Sequence, residues 1–109
     1  MPEMSPGTAL RQLQQAQAAM KKARKALLAT REAGDRPEFR QQALKVGWES
    51  LCQTHRELAA IPLSAANEPV MTRQLAVQRY ATALLVRLRR LARNEPGALE
   101  GLGEELEED

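Results

Sequence analysis

Cys52 and His55 are the first residues to consider, because a thiol and an imidazole three positions apart on a helix can be neighbours on one face. Such a pair can form an activated nucleophile or supply two ligands to a metal ion. They are the only cysteine and the only histidine in the chain. A metal site would therefore lack further nitrogen or sulfur ligands. Both residues also lie on or beside an apolar stripe, and we interpret them as core or core-edge residues.

No other pattern predicts catalysis. The six glycines are scattered, and no glycine-rich phosphate-binding sequence of the GxxxxGK type occurs. The acidic residues near the C-terminus are too close together in sequence, and too near glycines, to build a paired-carboxylate active site. We therefore expect a protein that is not an enzyme, with no cofactor, no metal ion and no small-molecule substrate.

Clusters of basic residues are the stronger functional indication. Residues 21–25 read KKARK and residues 87–93 read RLRRLAR. Helical lysine and arginine side chains reach phosphates well, and arginine can bind them with two hydrogen bonds. The plain alternatives are a solvated face that keeps a helical bundle soluble and, less favoured, contact with a membrane surface. The predicted nucleic-acid contacts are Arg79, Arg87, Arg90 and Arg93, with Lys21, Lys22 and Lys25 as secondary contacts.

The aromatic content argues for contacts to the nucleic-acid backbone rather than to bases. Phe39, Trp48 and Tyr80 are the only aromatic residues, and we assign Trp48 and Tyr80 to the core. Platforms on which single-stranded bases could stack are therefore missing. Contacts limited to phosphates would give largely sequence-independent binding with a steep salt dependence.

Composition predicts an all-α fold. Alanine, leucine, glutamine and arginine, which are good helix formers, dominate the 109 residues, and no alternating run of β-branched residues occurs. No run of eighteen apolar residues predicts a transmembrane helix, and residues 1–10 do not read as a signal peptide. A single cysteine fits a reducing cytoplasm.

The first two predicted helices form an antiparallel hairpin. Residues 1–7 read as a flexible arm, and Thr8 can cap a helix over about 9–32. Gly34 follows that helix, while Asp35 as N-cap and Pro37 in the first turn predict a second helix over about 36–60. The expected seam of the first helix consists of Ala9, Leu13, Ala16, Met20, Ala23, Leu27 and Thr30. The expected seam of the second consists of Leu44, Trp48, Leu51, His55 and Leu58, with Gly47 allowing close approach of a neighbouring helix.

The third predicted helix, over about 68–93, completes a three-helix bundle that spans residues 8–94. Asn67 can cap it, and Pro69 lies in its first turn. Its apolar surface is wider than one stripe, because Leu75, Leu85 and Val86 lie off the stripe. A second covered side is expected, and we predict a homo-oligomer or a subunit of a larger complex. The stripe itself consists of Val70, Val77, Ala81, Leu84, Leu88 and Leu91.

Charge is segregated along the chain. The formal net charge is +2, but residues 95–109 hold seven acidic and no basic side chains, which leaves a charge of +9 on residues 1–94. This acidic tail could fold back as a mimic of an anionic partner, bind a basic partner, or serve only as a solubilising end. Its leucines could dock or the segment could be disordered.

These features lead to two functional hypotheses. The first is a small structural subunit that holds nucleic-acid backbone within an assembly. The second is a protein-binding adaptor or chaperone that uses the apolar flank of the third helix and the acidic tail. Size and architecture are compatible with helical subunits of nucleoprotein machines such as CRISPR effector complexes, with phage packaging or assembly proteins and with secretion chaperones. No motif selects among them, nor between DNA and RNA.

Overall fold

Three α-helices make up the described part of the chain in a computed structural model, which describes residues 6–33, 36–61 and 68–99. They are α1 (Pro6–Ala33), α2 (Pro37–Ala59) and α3 (Glu68–Ala92). No strand occurs within those ranges, and α1 packs most extensively against α2. The prediction of an all-α bundle is confirmed. The N-terminal five residues, Asp35, Asn67 and residues 100–109 of the predicted acidic tail lie outside the described ranges.

The helices run up, down and up. Gln12 near the start of α1 donates a hydrogen bond to Glu57 near the end of α2, so these two helices are antiparallel, as predicted for the hairpin. Leu10 and Val70 line one groove near the first turns of α1 and α3. Thr30 and Leu91 line another near their last turns. The first and third helices are therefore parallel neighbours.

The core is built on the stripes predicted for α1 and α3. All seven seam positions of α1 are buried, and the six buried residues of α3 are the six predicted ones. Alternation of alanine with leucine or methionine along α1 lets neighbouring helices approach closely. Thr30 is the one polar member of the α1 seam, and its hydroxyl donates to the Leu27 carbonyl at 2.6 Å.

The stripe predicted for α2 was wrong in its phase. Leu51 and Leu58 are buried as expected, but Trp48 is 50% exposed and His55 is exposed. Small residues occupy the buried side instead, because the alanine-rich α1 leaves little room between the helices. The buried residues of α2 are Gly47, Ser50, Leu51, Thr54 and Leu58.

The buried Thr54 hydroxyl on α2 is paired with the backbone of the same helix. The Thr54 hydroxyl donates to the Ser50 carbonyl at 2.9 Å, so its donor does not go unpaired in the core. An analysis of apolar spacing does not count threonine, serine or glycine as core residues. These are the residues that determine which side of α2 faces inward.

The N-terminal ends of α1 and α2 differ slightly from prediction. The first helix begins at Pro6, so Thr8 lies inside it rather than at its cap. The N-cap of α2 is Arg36, which makes no side-chain capping bond, and Pro37 follows it at the first helical position. The Arg36 guanidinium lies 5.0 Å from the centre of the Phe39 ring, where a cation–π attraction holds it.

The last described turn folds back onto the bundle. Asn94 takes a left-handed conformation with φ of 58°. The Glu95 and Asn94 amides then donate to the Arg90 and Leu91 carbonyls at 3.0 and 3.1 Å, which is the hydrogen-bond pattern of a Schellman C-cap. Beyond this cap, Ala98 and Leu99 are buried in the core.

Candidate functional site

Basic charge is concentrated on the two parallel helices. Between Pro6 and Arg31 there are six basic and no acidic side chains. Between Pro69 and Asn94 there are again six basic and no acidic ones. The intervening helix α2 carries three of each sign. Since α1 and α3 are neighbours in the fold, we call the outward surfaces of these two stretches together the basic face.

Four of the predicted contact residues project from the basic face. Lys21, Lys22, Lys25 and Arg79 are exposed. Lys21 and Lys25 are one turn apart and therefore lie above one another on α1. Within the described ranges, none of the four forms an ion pair.

Arg90 and Arg93 are also exposed, but both lie near one carboxylate. Glu95 Oε2 lies 3.9 Å from Arg90 Nε, and Oε1 lies 3.8 Å from Arg93 Nη1. The three side chains are between 44% and 69% exposed, so each pair contributes at most about 1 kcal/mol to stability. The left-handed Asn94 places Glu95 in this position. These exposed ion pairs therefore hold the two arginines only weakly.

Arg87 makes a hydrogen bond that stabilises the fold. It is half-buried, and its Nη1 donates to the Ala98 carbonyl at 3.2 Å. This bond ties the last described turn to α3. Of the seven predicted contacts, Arg87 is the one whose guanidinium the fold already uses in this way.

Two further arginines belong to the same region. Arg24 is half-buried, and its Nε is buried without a hydrogen-bond partner within the described ranges. Arg73 is exposed and lines the groove between the first turns of α1 and α3, beside Leu10 and Ala76. Arg24 lies within the KKARK run but is not one of the predicted contacts. Only the parallel packing of α1 and α3 shows that both arginines adjoin the basic face.

The Cys52 and His55 pair is not placed as expected. Cys52 is half-buried at the edge of the core, but His55 is exposed, so the expectation of a core position was wrong for His55. The stripe on α2 is turned toward smaller residues, and this carries His55 outward. Within the described ranges, no group of three or more acidic, histidine or cysteine side chains could hold a metal ion.

What the basic face can do chemically is bind anions. Its lysine and arginine side chains lie on helices and can donate hydrogen bonds to anionic oxygens. None of the helices in the described ranges is long and apolar enough to cross a membrane. Comparison of the chain with protein-family models, with curated proteins and with solved structures found no significant match.

Proposed function

We propose that this protein is a non-enzymatic helical subunit of a larger assembly and that it holds nucleic-acid backbone on the basic face. The observation that carries the proposal is the separation of charge by helix. Two parallel neighbours hold twelve basic side chains over stretches without a single acid, while α2 is balanced. A bundle that needed charge only for solubility could have mixed signs on every helix.

The chemistry of the face fits phosphates. Lys21, Lys25 and Arg79 offer uncompensated charge, and Arg90 and Arg93 need only release Glu95. Phosphate oxygens would attract all of these groups. Contacts of this kind carry no information about the base sequence. Arg24 adds a buried N–H that gains from any acceptor able to reach it.

A cytoplasmic setting is part of the proposal. Cys52 is the only cysteine of the chain and has no intrachain partner for a disulfide. Chains that work in oxidising compartments commonly use disulfides, particularly when they are small.

The alternative is a protein-binding adaptor or chaperone. It is supported by the outward side of α3, where Leu75 and Val86 are 59% and 45% exposed. Apolar side chains of this size on an outer helix face are a feature of protein-binding surfaces. In this alternative, the arginines around them would meet an acidic protein partner.

Binding to short single- and double-stranded DNA and RNA distinguishes the two proposals. Affinity would be measured at about 50 and 200 mM salt, where phosphate contacts weaken strongly. Arg79→Glu should weaken binding and reduce the salt slope by about 1 to 2, since it removes one contact and adds a repulsion. Arg36→Glu makes the same change of charge outside the basic face and serves as the matched control.

Each result has a defined meaning. Salt-sensitive binding that Arg79→Glu weakens more than Arg36→Glu supports the nucleic-acid proposal. Equal effects of the two variants would show that binding depends on net charge alone. The basic face would then not be the binding site. Absence of binding to every probe at the lower salt concentration would overturn the proposal and leave the adaptor alternative.

A further inference from the structure

The outward side of α2 carries apolar side chains together with charges of both signs. Trp48 is 50% exposed, and Leu44 and Cys52 beside it are half-buried. A half-exposed tryptophan surrounded by apolar neighbours is a common anchor of protein interfaces. We call the surface formed by Gln41, Leu44, Trp48, Cys52 and His55 the α2 outer face.

A row of charges borders this face. Glu38, Lys45, Glu49 and Arg56 are all exposed, and their spacings of seven, four and seven residues place them on one line along the helix. Their signs alternate. Within the described ranges none of the four forms an ion pair. We call this row the charged stripe.

The charged stripe is complementary to itself when reversed. Read from either end, its spacing is the same, and every charge changes sign. A second α2 placed antiparallel and centred on position 47 would set Glu38 opposite Arg56 and Lys45 opposite Glu49 in both directions. A parallel copy in register would instead set like charges opposite each other.

We propose that the α2 outer face binds a second copy of this chain, with the two α2 helices antiparallel about a two-fold axis near position 47. In such an interface the same patch on each protomer contacts its counterpart. A two-fold axis between two antiparallel helices keeps the charged stripes on the same side, where they meet. The two Trp48 side chains then lie next to each other at the centre.

The other helices do not fit a second copy. The outward sides of α1 and α3 carry only basic charge along most of their length, so two copies would repel each other there. Leu75 and Val86 make α3 apolar enough for a partner, but Arg79 and Arg90 lie among them. This inference does not depend on the nucleic-acid proposal, and the dimer would leave the basic face of each protomer open.

The length of α2 limits the affinity expected for the dimer. At about 1.5 Å per residue, the 23 residues of α2 extend over about 34 Å. One helix pair with a single aromatic anchor gives a small interface, and such interfaces dissociate in the micromolar range. The dimer should therefore form and dissociate within concentrations that solution methods can reach.

Trp48 makes the interface directly observable, because it is the only tryptophan in the chain. Sedimentation of the full chain between about 1 and 300 µM, a range that brackets micromolar dissociation constants, should show a monomer–dimer equilibrium. The Trp48 emission should shift to shorter wavelength over the same range. A monomer at all concentrations, or a dimer without an emission shift, would overturn the proposal.

Charge swapping tests the orientation. Lys45→Glu and Glu49→Lys each create two like-charge pairs in the dimer and should weaken it by about tenfold. The double variant Lys45→Glu/Glu49→Lys restores opposite charges and should restore dimerisation. All of these positions are exposed, and circular dichroism verifies that each variant keeps its helices. Single variants that dimerise like the parent, or a double variant that stays weak, would contradict antiparallel pairing.

Leu75→Glu on α3 is the matched control for location. Leu75 is the most exposed large hydrophobic residue of α3, at 59%, and lies outside the α2 outer face. The substitution should leave the dissociation constant unchanged. If this variant lost the dimer while the charge-swap variants kept it, the interface would lie on α3. That result would contradict the assignment to α2.

Discussion

The Arg87 guanidinium donates a hydrogen bond to the main-chain carbonyl of Ala98 at 3.2 Å. Because Ala98 follows the C-cap of α3, this bond fastens the turn after the helix onto the helix itself. Ala98 and Leu99 are 3% and 9% exposed as a result. Residues 95–99 were predicted as the start of an acidic tail, but Ala98 and Leu99 pack in the core of the bundle.

Truncation should therefore have sharply different effects at two nearby positions. A chain that ends at Asn94 loses buried Ala98 and Leu99 and the bond from the Glu95 amide to the Arg90 carbonyl. Its free energy of unfolding should fall by about 3 kcal/mol, chiefly from lost burial of leucine. A chain that ends at Leu99 keeps these contacts and is the comparison for the shorter chain. Urea unfolding measures both, and equal stability of the two truncations would show that the turn adds nothing.

Arg40 fastens the same end of α3 from the side of α2. Its guanidinium donates to the Asn94 side-chain oxygen and to the Leu91 carbonyl, two acceptors at the helix C-terminus, where a cation is also favoured by the helix dipole. Arg40→Ala should lower the free energy of unfolding by about 1 to 2 kcal/mol, since charged hydrogen bonds are lost at a partly exposed site.

Arg40→Lys sharpens this prediction. Lysine keeps the charge but lacks the planar fork that reaches two acceptors at once. Its stability should lie between that of the parent and that of Arg40→Ala. Nucleic-acid binding should barely change in either variant, because Arg40 lies outside the basic face. A lysine variant as stable as the parent would assign the effect to charge alone.

The buried residues were predicted correctly on the helices whose buried residues are also their regularly spaced apolar ones. On α3 the six predicted stripe residues are the six buried ones, and on α1 all seven seam residues are buried. On α2 they do not coincide, because the core there uses Gly47, Ser50 and Thr54. Close packing against alanine-rich α1 favoured small residues over Trp48, and that preference depends on a neighbouring helix.

The candidate site was predictable to a similar extent. The exposed positions of Lys21, Lys22, Lys25 and Arg79 follow from helical spacing. Pairing of Glu95 with Arg90 and Arg93, and the bond between Arg87 and Ala98, depend on the left-handed residue at Asn94 and on φ of 75° at Gly97. Asparagine and glycine permit such a turn, but they do not by themselves show where it leads.

Gly47 provides a test of how tight the helix contacts are. A β-carbon at this position would lie 3.3 Å from Leu88 Cδ1, 3.6 Å from Leu27 Cδ2 and 3.8 Å from Ala26 Cβ. Alanine gains about 1 kcal/mol of helix propensity over glycine, but Leu88 must yield by a few tenths of an ångström. We expect Gly47→Ala to change the free energy of unfolding by less than about 0.5 kcal/mol, since the two effects oppose each other.

Gly47→Leu should separate the helices. The larger side chain cannot fit beside Leu27 and Leu88, and overpacking of this kind costs about 1 to 3 kcal/mol. Thermal unfolding of the two variants makes the comparison. Stabilisation of Gly47→Ala by the full propensity gain would mean that Leu88 does not press on this site.

Glu95 lies beside two of the arginines predicted to contact nucleic acid. It is 44% exposed and lies 3.9 and 3.8 Å from Arg90 and Arg93. Glu95→Gln removes the competing carboxylate and should change the free energy of unfolding by less than about 1 kcal/mol, because surface ion pairs contribute little. Under the nucleic-acid proposal, the freed arginines should bind a short oligonucleotide about two- to threefold more tightly at low salt.

Glu49→Gln gives the matched control for this effect. Glu49 is exposed on α2, outside the basic face, and forms no ion pair within the described ranges. The substitution changes net charge by the same amount. If both variants gained affinity equally, the gain would come from overall charge, and Glu95 would have no special relation to the binding surface. A gain confined to Glu95→Gln would place Arg90 and Arg93 in contact with the phosphates, and charge reversal at those two arginines should then abolish it.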